Sequence, residues 1–181
     1  RECGQNSSDA RRTKPVIMKF DLLDVPVEDL MAHEQLRSAI ESCREKSELS
    51  GEEKNIEFFG QAIDLMDKGS VKVLRITDYN TKGLLGPCSP GQPFHSLVKA
   101  TGVSSKEDDT SGGSFAIGKN AVFAISDLQT VFYSTIYLDD KGTEQFLAQG
   151  KSILISHKDK GGKSRRSTGY WGAPDYQPIM N

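Results

Sequence analysis

The chain has few cysteines, little net charge and no long apolar run, and each of these absences argues against a class of protein. Its three cysteines, Cys3, Cys43 and Cys88, are an odd number without paired spacing, which favours free thiols in a reducing cytosol over a disulfide framework. A net charge of −2 argues against a global basic field that would bind nucleic acid. No apolar run approaches the roughly 20 residues that span a bilayer, so we expect a cytoplasmic protein without a membrane segment.

The remaining composition is that of an ordinary globular domain. Of 181 residues, 36% are hydrophobic and 27% are charged, which is enough material for a single domain with a proper core. The first residues already have the pattern of a helix. We therefore expect one domain over residues 1–181, truncated at both ends.

The opening stretch, RECGQNSSDA, places an acid, an amide and a second acid on one helical stripe. Glu2, Asn6 and Asp9 are spaced i, i+4 and i+7, so a helix would carry their side chains on one face. An amide oxygen suits Mg²⁺, which prefers oxygen ligands. A glutamate one turn earlier could take a proton from a water that attacks a phosphate. The alternative reading is an exposed polar helix face.

Two strands and two helices are predicted in the first half of the chain. Residues 15–25 form an apolar run of strand length that Pro26 ends. Helical spacing of apolar residues follows over 32–46, and again after a break at 50–53, with Gly69 as a plausible C-terminal cap. We interpret both helices as packing elements without chemistry of their own.

An acid stands at the C-terminal end of the second predicted strand. Residues 71–77 are mainly apolar, with Lys72 and Arg75 among them, and predict a strand that leads directly to Asp78, which Asn80 and Gly83 follow. A carboxylate there could accept a hydrogen bond from the exocyclic amine of a heterocycle, and glycine would allow close backbone approach. The alternative is an Asx-turn that ends the strand.

A long loop rich in Gly, Pro, Ser and Asp comes next, with the character of a mobile lid. It ends in GGSFAIGKN at 112–120, before an apolar helix at 121–125. Such a turn offers backbone N–H groups and a positive helix end to an anion, and Lys119 adds a point charge. Its spacing excludes a Walker A loop. Antiparallel strands are predicted at 130–138 and 145–156. The basic loop at 157–169 is most simply solvated, with contact to phosphates or nucleic acid as the alternative.

Together these stretches resemble the GHKL superfamily of ATP-binding domains, which includes gyrase-type topoisomerases, ninety-kilodalton heat-shock chaperones, histidine kinases and MutL-type ATPases. RECGQNSSDA looks like the N-box, RITDYNTKG takes the place of the adenine-binding motif, and GGSFAIGKN takes that of the glycine-rich lid motif. LVKATGVSSK is similar to the chaperone segment that enters the lid. Four segments in the same order cover nearly the whole chain.

The resemblance implies a role for each matching position. Glu2 would be the general base, Arg1 would orient it, and Asn6 would be the Mg²⁺ ligand. Asp78 would bind the adenine amino group with Asp9 nearby. The other ATP-binding positions that it implies are Asn80 and Gly83 beside the base, and Gly113, Phe115, Gly118 and Lys119 in the lid and phosphate segment.

Three departures place the chain in a divergent branch. Asn80 stands where the adenine motif has a glycine, and the next glycine comes one residue late. Ala116 replaces the central glycine of the lid motif and resists a positive φ. A helical insertion at about 30–68 separates the two strands by more than is usual in the superfamily.

The expected fold is an α/β domain of the α+β two-layer sandwich type, with a mixed, mainly antiparallel sheet, helices on one face and an ATP lid, as in the Bergerat fold. The expected function is Mg²⁺-dependent ATP hydrolysis that drives lid closure and subunit association in a larger chaperone-like, DNA-processing or defence machine. The resemblance implies homodimerisation through regions outside this stretch, and leaves nucleic acid open as a partner of the full-length protein. The alternatives are a nucleotide sensor without turnover and a histidine-kinase-type phosphotransfer domain.

Overall fold

The computed structural model of the chain describes residues 2–99 and 122–180, with side chains from residue 4 onward. The elements in chain order are α1 (Glu2–Asp9), β1 (Ile17–Pro26), a 3-10 turn (Val27–Asp29), α2 (His33–Ser50), α3 (Glu53–Asp67), β2 (Ser70–Tyr79), α4 (Pro93–Val98), β3 (Thr130–Leu138), β4 (Glu144–Ile153), β5 (His157–Lys158), β6 (Ser164–Arg165), β7 (Thr168–Trp171) and β8 (Ile179–Met180).

The domain belongs to the α+β class, as the sequence predicts. Every strand pair in the described ranges is antiparallel, so the mixed sheet that we expected is not found there. The strands form a two-stranded sheet of β1 and β2, a four-stranded sheet in which β4 pairs with β3, β7 and β8, and a small β5–β6 hairpin. The predicted strands and helices of the first half all occur within a few residues of their expected bounds.

The first sheet holds the two strands that frame the predicted insertion. β1 and β2 pair along their full length, from Ile17 opposite Tyr79 to Pro26 opposite Ser70. The helices α2 and α3 connect the two strands at the Pro26–Ser70 end. At that end Val25 and Val71 join the core of the helices.

The main core lies between α2, α3 and the base of the first sheet. Leu36, Ile40 and Cys43 of α2 are completely buried, and Phe59 and Met66 of α3 are nearly so. Their spacing is the helical apolar stripe visible in the sequence. Residues that join this core from the second sheet and its flanks include Leu128, Leu154 and Trp171, so the helices hold the two sheets together.

A second core lies on one face of the β3–β4–β7 sheet. Phe94 and Val98 of α4 are fully buried there against Tyr137 and Leu147. The chain contacts this sheet soon after the end of β2: the backbone N–H of Leu84 donates a 2.8 Å hydrogen bond to the hydroxyl of Thr135. The segment from β2 to α4 therefore links the first sheet to the second.

Two hairpins are closed by aspartates that accept backbone hydrogen bonds inside their own turns. Asp139, between β3 and β4, accepts from the N–H groups of Lys141 and Thr143 at 2.9 and 2.8 Å. Asp159, between β5 and β6, accepts from Gly161 and Lys163 at 3.0 and 2.9 Å, and Arg165 donates to its other oxygen. Backbone donation, chiefly from Thr143 and Lys163, holds the pKa of each carboxyl below its ordinary value.

The two turn aspartates should make the fold sensitive to acid. Because the folded pKa lies below the unfolded value of about 3.9, the stabilisation is present above that value and is lost as pH falls through the folded pKa. Urea unfolding of the wild type and the Asp139→Asn/Asp159→Asn double variant, from pH 6 to pH 3, should show a shallower acid loss in the variant. An unchanged slope in the double variant would contradict the assignment.

Candidate functional site

The end of α1 is bound by backbone hydrogen bonds to the end of β2. The N–H of Lys82 donates to the carbonyl of Ala10 at 2.8 Å, and the carbonyl of Asn80 accepts from the N–H groups of Arg12 and Thr13 at 2.8 and 3.0 Å. The two motifs that lie some seventy residues apart in the sequence are therefore neighbours in the fold. These backbone hydrogen bonds form a joint that fixes the end of α1 next to the end of β2.

Asp78 and α1 lie on the same face of the first sheet. Asp78 is directly opposite Met18 in the β1–β2 ladder, so both side chains lie on one face. A Cβ placed on Gly4 would lie 3.7 Å from the Sδ of Met18, which shows that this turn of α1 packs on the same face. The helix that carries Asn6 thus sits beside the strand end that carries Asp78.

The polar stripe of α1 has the helical conformation that its spacing predicts. Asn6 and Asp9 are exposed, whereas Ser7 between them is buried. The carbonyl of Asn6 accepts the N–H of Ala10 at 3.0 Å, and no described hydrogen bond occupies its side-chain amide. Glu2 lies in the first position of the helix, but its side chain and all of Arg1 lie outside the described part. The roles of these residues stay predictions.

At the end of β2, the carboxylate of Asp78 is exposed to solvent, whereas the side chain of Asn80 is already hydrogen-bonded within the protein. The carboxylate of Asp78 is exposed and accepts a 3.3 Å hydrogen bond from the hydroxyl of Thr81. Asn80 has a positive φ of 63°, and its amide donates to the carbonyl of Pro15 at 2.6 Å. The asparagine that departs from the glycine of the superfamily motif therefore closes the joint between α1 and β2.

Gly83 lies directly against β3 of the second sheet. Its φ is +69°, and a Cβ there would collide with the carbonyl oxygen of Ile136 and lie 2.7 Å from the hydroxyl oxygen of Thr135. The glycine is thus required for contact with β3. The sequence drew attention to this residue for a different reason, the close approach of a nucleotide base, which stays a prediction.

The glycine-rich segment falls outside the residues that the structure describes. This applies to four predicted ATP-binding residues, namely Gly113, Phe115, Gly118 and Lys119. On its near side, the ammonium of Lys99 lies 5.8 Å from the ring centroid of Tyr170. On its far side, Phe123 lies 5.8 Å from the ammonium of Lys151, which is itself 6.0 Å from Tyr170. Lys99 therefore lies close to Tyr170, and Phe123 is connected to Tyr170 through Lys151.

Cys43 and His157 form a buried contact that is unsuited to nucleophilic chemistry. The Sγ of Cys43 lies 3.2 Å from Nδ1 of His157, and both side chains are buried. Burial raises the pKa of the thiol to about 11, so it stays protonated at neutral pH. The pair packs α2 against the β5–β6 hairpin.

The basic loop at 157–169 contains the β5–β6 hairpin, and two of its charges are paired. Lys160 contacts Glu41 of α2 at 2.7 Å, and Arg165 contacts Asp159 at 2.6 Å. Lys158 lies on an exposed position of β5. Lys160 therefore joins the hairpin to α2, whereas Arg165 pairs within the hairpin itself.

No set of three or more His, Cys, Asp or Glu side chains in the described ranges could hold a metal ion by itself. The helices within those ranges are too short or too polar to cross a membrane. Comparison with protein-family models, with curated protein sequences and with solved structures gives no match to this chain. The interpretation of the site therefore depends on its own residues.

The sequence missed the residues that assemble the site. Met18, Thr135 and the loop from Arg11 to Thr13 bring α1, β2 and β3 together, yet none belongs to a motif that the sequence singled out. The alternation of β1 does place Met18 on the face shared with Phe20 and Leu22. Pairing that face with Asp78 required the register between β1 and β2, which no single-strand pattern contains.

Proposed function

We propose that this domain binds ATP with Mg²⁺ and hydrolyses it in the manner of GHKL-type ATPases. The observation that carries the proposal is the position of α1 and Asp78 on one face of the first sheet, fixed by the joint between Ala10 and Lys82. A nucleotide lying across this face would meet α1 at its phosphates and Asp78 at its base. The α1 motif and the Asp78 motif lie beside each other in the fold, which supports the proposal.

In this proposal Asp78 selects the base. The exocyclic amine of adenine is a hydrogen-bond donor and an exposed carboxylate is an acceptor, so the pair is complementary. The end of β2 is held by the hydrogen bonds of Asn80 to the chain after α1, which limits the movement of the neighbouring carboxylate. Guanine presents a carbonyl oxygen at the corresponding position and would be disfavoured.

Asn6 is suited to hold Mg²⁺ together with phosphate oxygens. Its side chain is exposed, sits on a helix and has no described hydrogen-bond partner to displace. Mg²⁺ is commonly held by one or two protein oxygens with the remaining positions taken by phosphates and waters, so a three-residue cluster is unnecessary. Bound there, the metal would neutralise charge on the phosphates.

Glu2 lies one helical turn before Asn6, at the spacing that places both on the same side of α1. A carboxylate at this position would orient a water toward the terminal phosphate and accept its proton. The glycine-rich segment with Lys119 would supply backbone N–H groups and positive charge to the phosphates. On the same proposal the protein acts in the cytosol, in keeping with the free thiols of Cys43 and Cys88.

Replacing Asp78 by asparagine tests the assignment of the base pocket. Loss of a charged hydrogen bond of about 1.5–3 kcal/mol should weaken ATP binding by roughly 10- to 150-fold. Preference for ATP over GTP should fall in parallel, measured by calorimetric titration with and without Mg²⁺. Asp24→Asn is the matched control, because Asp24 is a carboxylate on the same face of the same sheet and is paired with Lys72 at 2.7 Å. Equal ATP affinities in all three proteins would contradict the proposal.

A further inference from the structure

The first sheet exposes an unusual set of large apolar side chains on one face. Phe20 and Leu22 of β1 are 63% and 69% exposed, and Leu74 and Ile76 of β2 are 50% and 41% exposed. Leu22 is opposite Leu74 and Phe20 is opposite Ile76, so the four form one contiguous patch, the apolar face. Single exposed apolar residues are normal, but a contiguous patch is typical of a surface that binds another protein.

The apolar face borders a free strand edge. β1 is 10 residues long, and across the described ranges its only strand partner is β2. Its other edge therefore presents backbone N–H and C=O groups that no described strand satisfies. Long, apolar edge strands readily accept a further strand, and natural proteins usually protect them. A strand that pairs with this edge must have apolar and charged residues at positions that match those of β1.

We propose that this edge pairs with the same edge of a second copy of the chain, with the two β1 strands antiparallel and a two-fold axis at Phe20. The product is a continuous four-stranded antiparallel sheet in which the apolar faces of both copies lie on the same side of the sheet. The pairing uses the edge of β1 that faces away from β2, whereas the proposed nucleotide site uses the face that carries α1 and Asp78. Because Phe20 and Leu22 lie on that same face, nucleotide binding and pairing are measured separately below.

The charges of β1 select this register. The two-fold axis is perpendicular to the sheet and lies midway between the two β1 strands. Residues that lie opposite each other must be on the same face of the sheet, so the axis must be centred on a residue position and not between two positions. Centring it on Phe20 sets Lys19 opposite Asp21 of the second copy twice, and Met18 opposite Leu22. Opposite charges in such positions stabilise a strand pair, and apolar partners do so as well.

Neighbouring registers are less favourable. An axis at Asp21 would oppose two identical carboxylates, and an axis at Lys19 would oppose two ammonium groups. An axis at Leu22 would set Phe20 against the carboxylate of Asp24. The Phe20-centred register avoids all three conflicts.

Contacts within one copy are compatible with this pairing. Asp21 pairs with Arg75 at 2.9 Å, and Lys19 lies 5.1 Å from the ring centroid of Tyr79. Both contacts lie on the face opposite the apolar face, and the apolar face itself also carries Asp78 and the Asp24–Lys72 pair. The packing of α1 on Met18 leaves Phe20 and Leu22 exposed.

Disulfide trapping tests the register directly. In directly opposed antiparallel positions the Cα atoms are about 4.5–5.5 Å apart, which a disulfide can bridge. A Phe20→Cys variant under mild oxidation should form a covalent dimer, and peptide mapping should show a disulfide joining position 20 of both copies. The Asp24→Cys variant is the matched control, because position 24 would lie opposite Val16 and should not link to itself. Circular dichroism of each variant checks that it folds.

Sedimentation of the nucleotide-free protein tests the pairing without a cross-link. We expect a dimer whose population rises with protein concentration, since an edge contact of this length is small for an interface. Lys19→Glu should shift the equilibrium to monomer by opposing like charges, whereas Lys54→Glu on α3 should not. A monomer at every concentration, equal trapping at positions 20 and 24, or a dimer indifferent to Lys19→Glu would overturn the proposal. ATP titration of the same variants keeps this result separate from the proposed function.

Discussion

Replacing Gly83 by alanine is expected to lower the free energy of unfolding by about 2–5 kcal/mol. Two costs contribute to this figure. A left-handed backbone costs a residue with a Cβ roughly 1–2 kcal/mol, and forcing an atom into a closed contact costs about 1–3 kcal/mol. Gly83 meets both conditions, because its φ is +69° and its Cβ would meet the backbone of Ile136 and the hydroxyl of Thr135. Urea denaturation followed by circular dichroism measures the loss.

Gly91 provides the matched control for this prediction. Its φ is +88°, but a Cβ there has no atom within 4 Å. Gly91→Ala should therefore show only the backbone cost of about 1–2 kcal/mol. The difference between the two variants isolates the contact with β3. Equal losses would mean that Gly83 does not lie against β3 in the folded protein.

The role of Gly83 illustrates what the sequence could and could not predict. The apolar pattern over 71–77 predicts β2, and Pro26 correctly marks the end of β1. A positive φ after a strand is also foreseeable from a glycine. The contact partner of that glycine cannot be foreseen, because β3 lies about fifty residues later in the chain. No local pattern specifies which face of β3 the glycine will contact.

The same distinction applies to the candidate site. The stripe of Asn6 and Asp9 follows from helical spacing, and Asp78 follows from the end of a predicted strand. That Asn80 would bond Pro15, rather than remain available to a ligand, depends on where the chain returns after α1. Long-range register of this kind is set by packing, and the sequence alone leaves it open.

The predicted Bergerat fold remains a proposal, and the division of the strands into separate sheets explains why its topology could not be derived. The pattern of β3 and β4 predicts an antiparallel pair, which the structure confirms. Nothing in that pattern states that α2 and α3 pack between the first sheet and residues such as Leu154 and Trp171. Which sheets associate depends on the three-dimensional fit of their apolar faces.

Replacing Glu2 by glutamine should reduce the rate of ATP hydrolysis by about 10²- to 10⁴-fold, the usual contribution of a general base. Glutamine keeps the size of the side chain and can still hydrogen-bond a water, but it cannot accept its proton. Affinity for ATP should stay near the wild-type value, because a group that acts on the attacking water contributes mainly in the transition state. Steady-state phosphate release gives the rate, and calorimetry gives the affinity.

Glu34→Gln is the control, because Glu34 lies in the first turn of α2 and belongs to no proposed site. Asn6→Ala completes the series, since loss of a metal ligand should raise the Mg²⁺ concentration needed for half-maximal activity. If Glu2→Gln hydrolyses ATP as fast as the wild type, Glu2 is not the base. If the wild type binds ATP with Mg²⁺ but releases no phosphate, the chemistry of α1 is limited to binding, and the domain works as a nucleotide sensor.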